Sequence, residues 1–422
     1  MPSGRMDSLA AVLAAIRGSD GMTQPLISQQ LELGRSVVAS RVAELESAGL
    51  VARAGVGPST GGRAPRRLRL RAEAGRVVGV DIGATGMEIG VADLSGRVLE
   101  SVEEPVDIAD GPEVIMARVE QLVDGLLARG VEGRSVWGIG VGVPGPVEFA
   151  TGLPVSPPIM PGWDGYPIRD RLSRRYDAPT WVDNDVNLLA LGELRTNRTI
   201  GDTQDLLYVK IGTGIGAGLV SGGRLHRGTN GCAGDIGHIA VAEAENVICR
   251  CGNAGCLEAV AGGAALAREG RRLAESGDSR VLVEILAAKG TLTAADVTVA
   301  AGRGDAAARA LLARAGRLVG IALATLVSFY NPALVVLGGG VVSAGDHVLA
   351  AIREAVYRRS LPLATRTLRI EPTSLGEAGL AGAVHLVLDE LFAPRLLAQW
   401  LPFSAPAGHP DLPTAGETSS AA

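Results

Sequence analysis

The side chains of this chain that are best suited to hold a metal ion lie in one short run, GDIGHIAVAEAENVICRCGNAGCLEA. They are His238, Cys249, Cys251 and Cys256. One imidazole and three thiolates form a closed Cys3His set, which is typical of structural zinc in tetrahedral coordination. Three clustered cysteines cannot all pair with one another, so a disulfide explains the pattern less well. The remaining alternative is that these are ordinary buried thiols.

Polar side chains on either side of the cysteines predict a binding cleft next to the metal. Asp235 precedes His238, and Glu258 follows Cys256. These side chains can exchange hydrogen bonds with the hydroxyl groups of a ligand such as a sugar. A metal ion on one imidazole nitrogen would orient the His238 ring and leave the other nitrogen facing that ligand.

Three glycine-rich turns indicate a site for phosphate groups. Each follows a segment with the pattern of a β-strand, where glycine lets the backbone approach a phosphate. In the first turn, Asp81 can hold a hydrated magnesium ion and Thr85 can donate a hydrogen bond to the phosphate. The turns are Asp81-Ile-Gly83-Ala-Thr85, Gly212-Thr213-Gly214-Ile-Gly216 and Gly338-Gly339-Gly340. The second turn fits neither the Walker nor the dinucleotide pattern. Each alone also suits an ordinary tight turn, but the three in this order favour a split site for ATP and Mg²⁺.

Asn184 and Asp185 lie where a predicted strand passes into a predicted helix. A carboxylate at this place can accept the proton of a sugar hydroxyl as its oxygen attacks a phosphorus atom. Asp185 is therefore a candidate general base. The alternative is that Asp185 only caps the helix.

The N-terminal residues predict a winged helix-turn-helix. Apolar residues at helical spacing predict three short helices, the last of them capped by Ser36 and ended by Gly49. The alternating segments 50–53 and 68–71 predict the two strands of a wing. In such a domain the third helix enters the major groove of DNA. The alternative is a small helical module that binds protein.

Polar and basic side chains of this domain are the candidate contacts to DNA. The wing strands are joined by GVGPSTGGRAPRR, whose small and basic residues suit a phosphate backbone or a narrow minor groove, although a plain flexible linker has the same composition. The candidates in the third helix and in this segment are Arg35, Ser36, Ser40, Arg41, Arg63, Arg66 and Arg67.

The distribution of charge supports this division. Residues 1–76 hold 11 arginines and 6 acidic residues, whereas the whole chain carries a net charge of −5, so the remainder carries −10 by difference. A basic front on an acidic body indicates that only the front binds an anionic polymer.

The body of the chain has the pattern of an α/β protein. Two stretches, from residue 76 and from residue 205, each predict strands joined by glycine turns, which suggests two related lobes. The 422 residues and 47% hydrophobic content are enough for two to four domains with a sizeable core. We expect a cytoplasmic protein with no membrane partner, since we find no signal peptide or long apolar run at its start.

From about residue 76 to about residue 393, the chain resembles the ROK family of repressors, open reading frames and sugar kinases. The most specific elements are the GH…CxCGxxGCxE segment, the Asn184-Asp185 pair and STGGR. With its N-terminal domain the chain is similar to the ROK transcriptional regulators. The resemblance implies a two-lobed actin/hexokinase-like ATPase-type fold and a dimer or tetramer.

The resemblance also implies roles for individual residues. It assigns Asp81, Gly83 and Thr85 to a first phosphate loop, and the turn from Gly212 to Gly216 to a second one. It makes Asp185 the catalytic base and Asn184 and Glu258 sugar contacts, and it gives zinc the ligands His238, Cys249, Cys251 and Cys256.

Three departures from the kinases of the family favour a sensor over a fast kinase. The first loop reads DIGATG, so that Ala84 replaces a glycine and Gly86 a lysine. Asp235 stands where the kinases usually have glutamate, and the segment 156–162 lacks their usual asparagine. Each lost contact to a hydroxyl group costs about 1–3 kcal/mol where a buried partner is left unpaired.

The sequence therefore predicts an α/β regulator, in which residues 1–75 form a winged helix-turn-helix that binds operator DNA. Residues 76–182 with 375–395 form the first lobe, residues 183–374 form the second lobe with structural zinc, and residues 396–422 form an extension with a disordered end. The effector is a sugar or a sugar phosphate, and the leading hypothesis is a repressor. The rival is an ATP-dependent sugar kinase, and a third alternative is a zinc-stabilised scaffold that binds protein.

Overall fold

The computed structural model of the chain describes residues 3–19, 21–56, 66–130, 135–342, 346–376 and 378–406. The α-helices are α1 (Ser3–Arg17), α2 (Gln24–Gln30), α3 (Arg35–Ser47), α4 (Pro112–Gly130), α5 (Ile168–Tyr176), α6 (Asp185–Thr196), α7 (Glu258–Ala261), α8 (Gly263–Glu275), α9 (Arg280–Lys289), α10 (Ala294–Gly302), α11 (Ala306–Tyr330), α12 (Asp346–Arg359), α13 (Pro362–Thr365), α14 (Ala378–Leu391) and α15 (Pro394–Trp400). The strands are β1 (Val51–Val56), β2 (Arg66–Leu70), β3 (Arg76–Ile82), β4 (Gly86–Asp93), β5 (Val98–Pro105), β6 (Val136–Val143), β7 (Val147–Glu148), β8 (Leu153–Pro154), β9 (Thr180–Asn184), β10 (Leu206–Ile211), β11 (Ile215–Ser221), β12 (Arg224–His226), β13 (Leu334–Gly338) and β14 (Arg369–Pro372).

The N-terminal domain has the predicted three helices and two-stranded wing. Strands β1 and β2 pair antiparallel with Val51 opposite Leu70, and Gly49 ends the third helix with a φ of +74°. The predicted cap of that helix is wrong: α3 begins at Arg35, and Gly34 is the N-cap residue, with no side-chain cap bond. Ser36 therefore lies inside the first turn. Arg63 and the predicted disordered end of the chain lie outside the described residues.

The body contains two five-stranded sheets with the same topology. The first sheet has the order β5-β4-β3-β6-β9 and the second has the order β12-β11-β10-β13-β14. In each sheet three antiparallel strands connected by turns are followed by two strands that pair in parallel. This repeat confirms the expected two-lobed architecture, in which the carboxyl ends of parallel strands at a crossover form a crevice.

Helices α6 and α14 cross between the two sheets at very short distance. Helix α14 packs on one face of the first sheet, and α6 packs on one face of the second sheet. A Cβ atom on Gly382 would lie 1.8 Å from the carbonyl oxygen of Leu188, and one on Gly192 would lie 1.9 Å from that of Ala378. Only glycine allows this approach, because any side chain at these positions would meet backbone atoms.

The N-terminal domain shares an apolar core with the first lobe. Leu13, Val42 and Leu68 of the winged domain belong to the same buried cluster as Leu388 and Trp400. Helix α1 packs against α15, and the guanidinium of Arg17 lies over the Phe392 ring at 4.7 Å from its centroid. The two domains are thus joined by packed side chains as well as by the chain itself.

One described helix is long and apolar enough to cross a membrane when judged by length and composition. This helix is α11, which packs against α12 and contributes Leu312, Leu323 and Val327 to the buried cluster under the second sheet. A helix that packs in a protein core can also be long and apolar, so it meets the same criteria of length and composition.

Substituting Gly382→Ala tests the close crossing of α6 and α14. We expect the free energy of unfolding in urea to fall by about 1–3 kcal/mol, since the new methyl group overpacks against the carbonyl oxygen of Leu188. The matched control is Gly125→Ala in α4, where a Cβ atom would meet nothing within 4 Å. That control should be neutral or stabilising by up to about 1 kcal/mol. Equal stability of the two variants would contradict the packing described here.

Candidate functional site

A cavity of about 740 Å³ opens where the carboxyl ends of strands from the two sheets face each other. Most of the predicted ligand-binding residues line it. From the first sheet and its turns come Asp81, Gly83 and Thr85, and from the junction with α6 come Asn184 and Asp185. The second sheet with its turns, and the segment 235–258 that holds the predicted metal ligands (the zinc segment), supply the rest of this set: Gly212, Thr213, Gly214, Gly216, Asp235, His238, Glu258 and Gly339. The fold therefore brings residues from distant parts of the sequence to one place.

The four predicted metal ligands converge beside this cavity. Their ligand atoms all lie within 4.8 Å of one another. The Sγ atoms of Cys251 and Cys256 are 3.7 Å apart, and the Sγ atom of Cys249 is 3.7 Å from Nδ1 of His238. Two sulfur atoms at about 2.3 Å from a tetrahedral zinc ion would be about 3.8 Å apart, so the arrangement fits this metal.

The chain folds back to bring the cysteines together. Gly252 and Gly255 both have a φ near +90°, and the amide of Cys249 donates to the carbonyl of Asn253 at 2.8 Å. Burial raises the pKa of the Cys256 thiol to about 12. A bound cation would oppose that effect, because it stabilises the thiolate form that ligates metal.

His238 connects the metal cluster with the cavity. Its Nδ1 faces Cys249, and its Nε2 lies 3.8 Å from a carboxylate oxygen of Asp235. Burial raises the pKa of Asp235, an effect that the nearby Glu258 reinforces and His238 opposes. Zinc on Nδ1 would leave Nε2 as a hydrogen-bond donor that faces the cavity.

Glu258 ties the zinc segment to the second glycine turn. Its Oε2 accepts a hydrogen bond from the amide of Ile215 at 2.9 Å, and its Oε1 lies 3.6 Å from Arg250. A Cβ atom on Gly214 would lie 2.2 Å from Oε2, so the glycine makes room for this carboxylate. The position of Glu258 is thus set by the turn as well as by the cysteines.

Asn184, and not Asp185, caps α6. The Asn184 side-chain carbonyl accepts from the amide of Val186 at 2.9 Å, and its amide group donates to the carbonyl of Gly145 at 2.8 Å. Asp185 is buried, and its carboxylate is 2.6 Å from the ammonium group of Lys210. This carboxylate therefore lies in the cavity beside the Lys210 ammonium group and does not cap the helix.

Lys210 is a cavity residue that sequence reasoning missed. It occupies the penultimate position of β10, just before the second glycine turn. Burial acts to lower the pKa of Lys210, but the carboxylates of Asp185 and Asp81 outweigh it, so that the pKa lies above its ordinary value. A signal was present in the sequence, since Lys210 is one of only two lysines in the chain.

Asp81 is the penultimate residue of β3, as Lys210 is of β10, and has a buried oxygen without a partner. No described side chain or backbone group makes a hydrogen bond to its Oδ1. Burial, together with the Asp185 carboxylate, raises the pKa of Asp81 to about 7 against the opposing effect of Lys210. A hydrated magnesium ion would satisfy this oxygen, so Asp81 itself fits the predicted metal.

One sequence expectation about the cavity is not met by the structure. Gly338 does not line the cavity, because it packs against Tyr208, whose hydroxyl would be 2.0 Å from a Cβ atom at this position. The segment that lacks an asparagine lines the cavity with Pro158 and Ile159. Its apolar surface agrees with the expected loss of a polar contact at this place.

Most of the described DNA-contact candidates lie on the surface of the winged domain. Arg35, Ser36, Ser40, Arg66 and Arg67 are exposed. Arg41 differs from the expectation of an exposed side chain, since it pairs with Glu44 and donates to Ser8 at 3.2 Å. It braces α3 against α1, and the other described candidates form an accessible surface that carries three arginines.

Comparison with known proteins gives the same division of the chain. The model of the ROK family matches residues 77–390. A glucokinase of Halalkalibacterium halodurans is 35% identical over 74% of this chain and 95% of its own length. A xylose repressor of Caldicellulosiruptor bescii is 28% identical over 90% of this chain and 95% of its own length.

A solved structure matches the chain over nearly its whole length. It is described as a ROK family transcriptional regulator, a homolog of the E. coli MLC protein, and it superposes with a TM-score of 0.81 at 22% identity. The match covers 95% of this chain and 100% of the other. The likeness extends over the winged domain as well as the two lobes, and at this identity it concerns the fold.

Substituting Cys249→Ser tests the metal cluster. We expect the purified wild-type protein to hold one zinc ion per chain and the variant to lose it, because the remaining ligands no longer close a tetrahedral set. Elemental mass spectrometry measures the content. The control is Cys232→Ser, which removes the exposed cysteine outside the cluster and should keep the zinc. A variant Cys249→Ser with full zinc content would refute the assignment of ligands.

Proposed function

The chain belongs to the ROK family, and from this membership and its N-terminal domain we propose that it is a transcriptional repressor controlled by a sugar. In this proposal the winged domain binds operator DNA, and the cavity between the lobes binds the effector. The zinc cluster holds His238 and the segment before Glu258 in place beside that cavity.

The observation that carries the proposal is the winged domain itself. The glucokinase matches 74% of the chain, whereas the xylose repressor and the regulator structure match 90% and 95%. Because the share of the chain that they leave unmatched is smaller than residues 1–75, the wider matches extend into the N-terminal domain. A kinase has no evident need for a basic helix-turn-helix, and a DNA-binding regulator does.

Sugar recognition is supported by the polar side chains around His238. The Nε2 of His238, the carboxylates of Asp235 and Glu258, and the Asp185 carboxylate all reach the same cavity. Such groups can accept and donate hydrogen bonds to several hydroxyls of one sugar. The cavity volume of about 740 Å³ is in the range of small-molecule sites.

The helices α6 and α14 offer a route from the cavity to the DNA-binding domain. Helix α6 begins at Asp185, and Asp81 lies against the start of α14, where a Cβ atom on Gly379 would be 1.8 Å from its Oδ2. At their other ends, Arg195 of α6 pairs with Asp389 of α14 at 2.7 Å. Burial lowers the pKa of the half-buried Arg17 of α1, and the nearby carboxylate of Asp389 opposes this effect. A ligand that shifts these helices would therefore shift α1, provided that it prefers one arrangement.

The alternative function is an ATP-dependent sugar kinase. It is favoured by the glucokinase relatives and by Asp185, whose carboxylate lies in the cavity and does not cap the helix. In that function Asp185 would accept the proton of a sugar hydroxyl. Asp81 would hold magnesium, which would supply charge neutralisation for phosphate groups.

Substituting Arg35→Gln tests the DNA-binding surface. We expect weaker binding to double-stranded DNA and a salt dependence of the logarithm of the affinity that is less steep by about 0.9, as for one lost phosphate contact. Fluorescence anisotropy across a series of salt concentrations measures both. The control is Arg280→Gln, which removes an exposed arginine from α9 of the body. An unchanged slope for Arg35→Gln would exclude this residue from the interface.

A panel of hexoses, pentoses and amino sugars, with their phosphates, tests effector binding. We expect one of them to raise the melting temperature and to change DNA affinity by about 5- to 150-fold, the usual range of allosteric coupling. Cys249→Ser should lose this response together with the metal, because His238 is no longer held.

Release of ADP from ATP is measured on the same panel, with Asp185→Ala as the control. Sugar-dependent turnover that this substitution abolishes would support the kinase instead. Absence of DNA binding in every condition would refute the repressor.

A further inference from the structure

The cavity is strongly acidic, and one side chain supplies its positive charge. Six carboxylates line the cavity: Asp81, Glu88, Glu103, Asp185, Asp235 and Glu258. Among the described lining residues, Lys210 is the only lysine or arginine. This excess of negative over positive side chains affects which ligands can bind, because a cavity between two lobes screens charges less than bulk water does.

Lys210 forms an ion pair with Asp185 and acts electrostatically on Asp81, and these two residues lie at the centre of the cavity. Its Nζ lies 2.6 Å from Oδ2 of Asp185, whose side chain is only 5% exposed. The Lys210 side chain is 29% exposed, so it reaches solvent as well as the carboxylate. Asp81 faces the same group from the first sheet and carries the buried oxygen without a partner.

The strand fixes this ammonium group in place. Lys210 pairs with Gly338 in the parallel register of β10 and β13, next to the second glycine turn. The central strand fixes the backbone of Lys210, and the contact of 2.6 Å with Asp185 holds its ammonium group in the cavity.

We propose that Lys210 is the resident counter-cation of the cavity, in the place that a divalent metal ion would otherwise take beside Asp185, and that the remaining excess of carboxylates restricts the effector to an unphosphorylated sugar. This inference rests on the proposed function, because it names the class of effector that the regulator binds.

The exclusion of metal follows from geometry. An ammonium group at 2.6 Å and a metal ion cannot occupy the same side of the Asp185 carboxylate. Magnesium also gives up its water reluctantly and binds through free carboxylate oxygens and substrate phosphates. With Oδ2 of Asp185 paired, an ion held by the free Oδ1 atom of Asp81 would lack the second central carboxylate, so we expect it to bind weakly unless a phosphate supplies further ligands.

The exclusion of phosphate follows from charge. A phosphate group entering this cavity would meet six carboxylates and one ammonium group that is already paired. A neutral sugar has no such penalty, and its hydroxyls can bond to the carboxylates and to Nε2 of His238. Specificity here would arise from repulsion of the wrong ligand as much as from contacts to the right one.

Substituting Lys210→Met tests the counter-cation directly with Mn²⁺ as the probe. Removal of the ammonium group leaves Asp81 and Asp185 uncompensated, so the zinc-loaded variant should bind Mn²⁺ at least tenfold more tightly than the wild type in electron paramagnetic resonance titrations. Lys210→Arg, which keeps the charge, should bind like the wild type. The double variant Lys210→Met/Asp185→Asn should lose the gained affinity.

The chain provides a control in its other lysine. Lys289 pairs with the buried Asp296 at 2.5 Å, and neither residue lines the cavity, although Asp296 holds the lining residue Thr293. Lys289→Met therefore breaks a similar ion pair and leaves Asp81 and Asp185 unchanged. It should leave Mn²⁺ affinity unchanged. Equal Mn²⁺ affinity of Lys210→Met and the wild type would overturn the proposal.

A second measurement uses the wild-type protein and needs no variant. Calorimetric titrations with glucose, xylose and glucose 6-phosphate, without metal or nucleotide, should show binding of an unphosphorylated sugar and at least tenfold weaker binding of the phosphate. Tighter binding of glucose 6-phosphate would overturn the proposal. If neither sugars nor DNA bind, the repressor function fails, and the Mn²⁺ titration still decides the role of Lys210.

Discussion

The close crossing of α6 and α14 is the contact on which the geometry of this protein depends. Each helix packs on a different sheet, and the two are held together at backbone distance by Gly192 and Gly382. Because both helices begin at the cavity, the same contact sets the separation of Asp81 from Asp185. Packing that is this tight resists gradual deformation, so any change in the relation of the two lobes would require the two helices to repack at this crossing.

The cavity is assembled by three different kinds of restraint. The strands fix Asp81 and Lys210, the crossing of helices fixes Asp185, and the segment with the Cys3His cluster fixes His238 and Glu258. Glu258 also accepts a hydrogen bond from the amide of Ile215 in the second glycine turn. A chemical change in the Cys3His cluster is therefore expected to reach the glycine turn as well as the imidazole.

The sequence was sufficient to predict the elements and the convergence of the zinc ligands, because local patterns determine both. Glycine turns after apolar runs marked the strand ends, and the spacing of Cys249, Cys251 and Cys256 marked the knuckle. The surroundings of single side chains were not predictable in the same way. That Asn184 caps α6, that Gly338 packs on Tyr208 and that Lys210 pairs with Asp185 all depend on contacts between segments far apart in the chain.

The scarcity of lysine gives the chain a chemical property of its own. Lys210 and Lys289 are its only lysines, and every other basic residue apart from histidine is arginine, which amine-directed reagents leave unmodified. One of the two amines lies in the cavity and the other lies on α9, with 61% of its side chain exposed. An acylating reagent thus has one side-chain target that a bound ligand covers and one that it does not. The ratio of modification at Lys210 to modification at Lys289 would therefore report how much of the cavity is occupied, with Lys289 as the internal standard in the same chain.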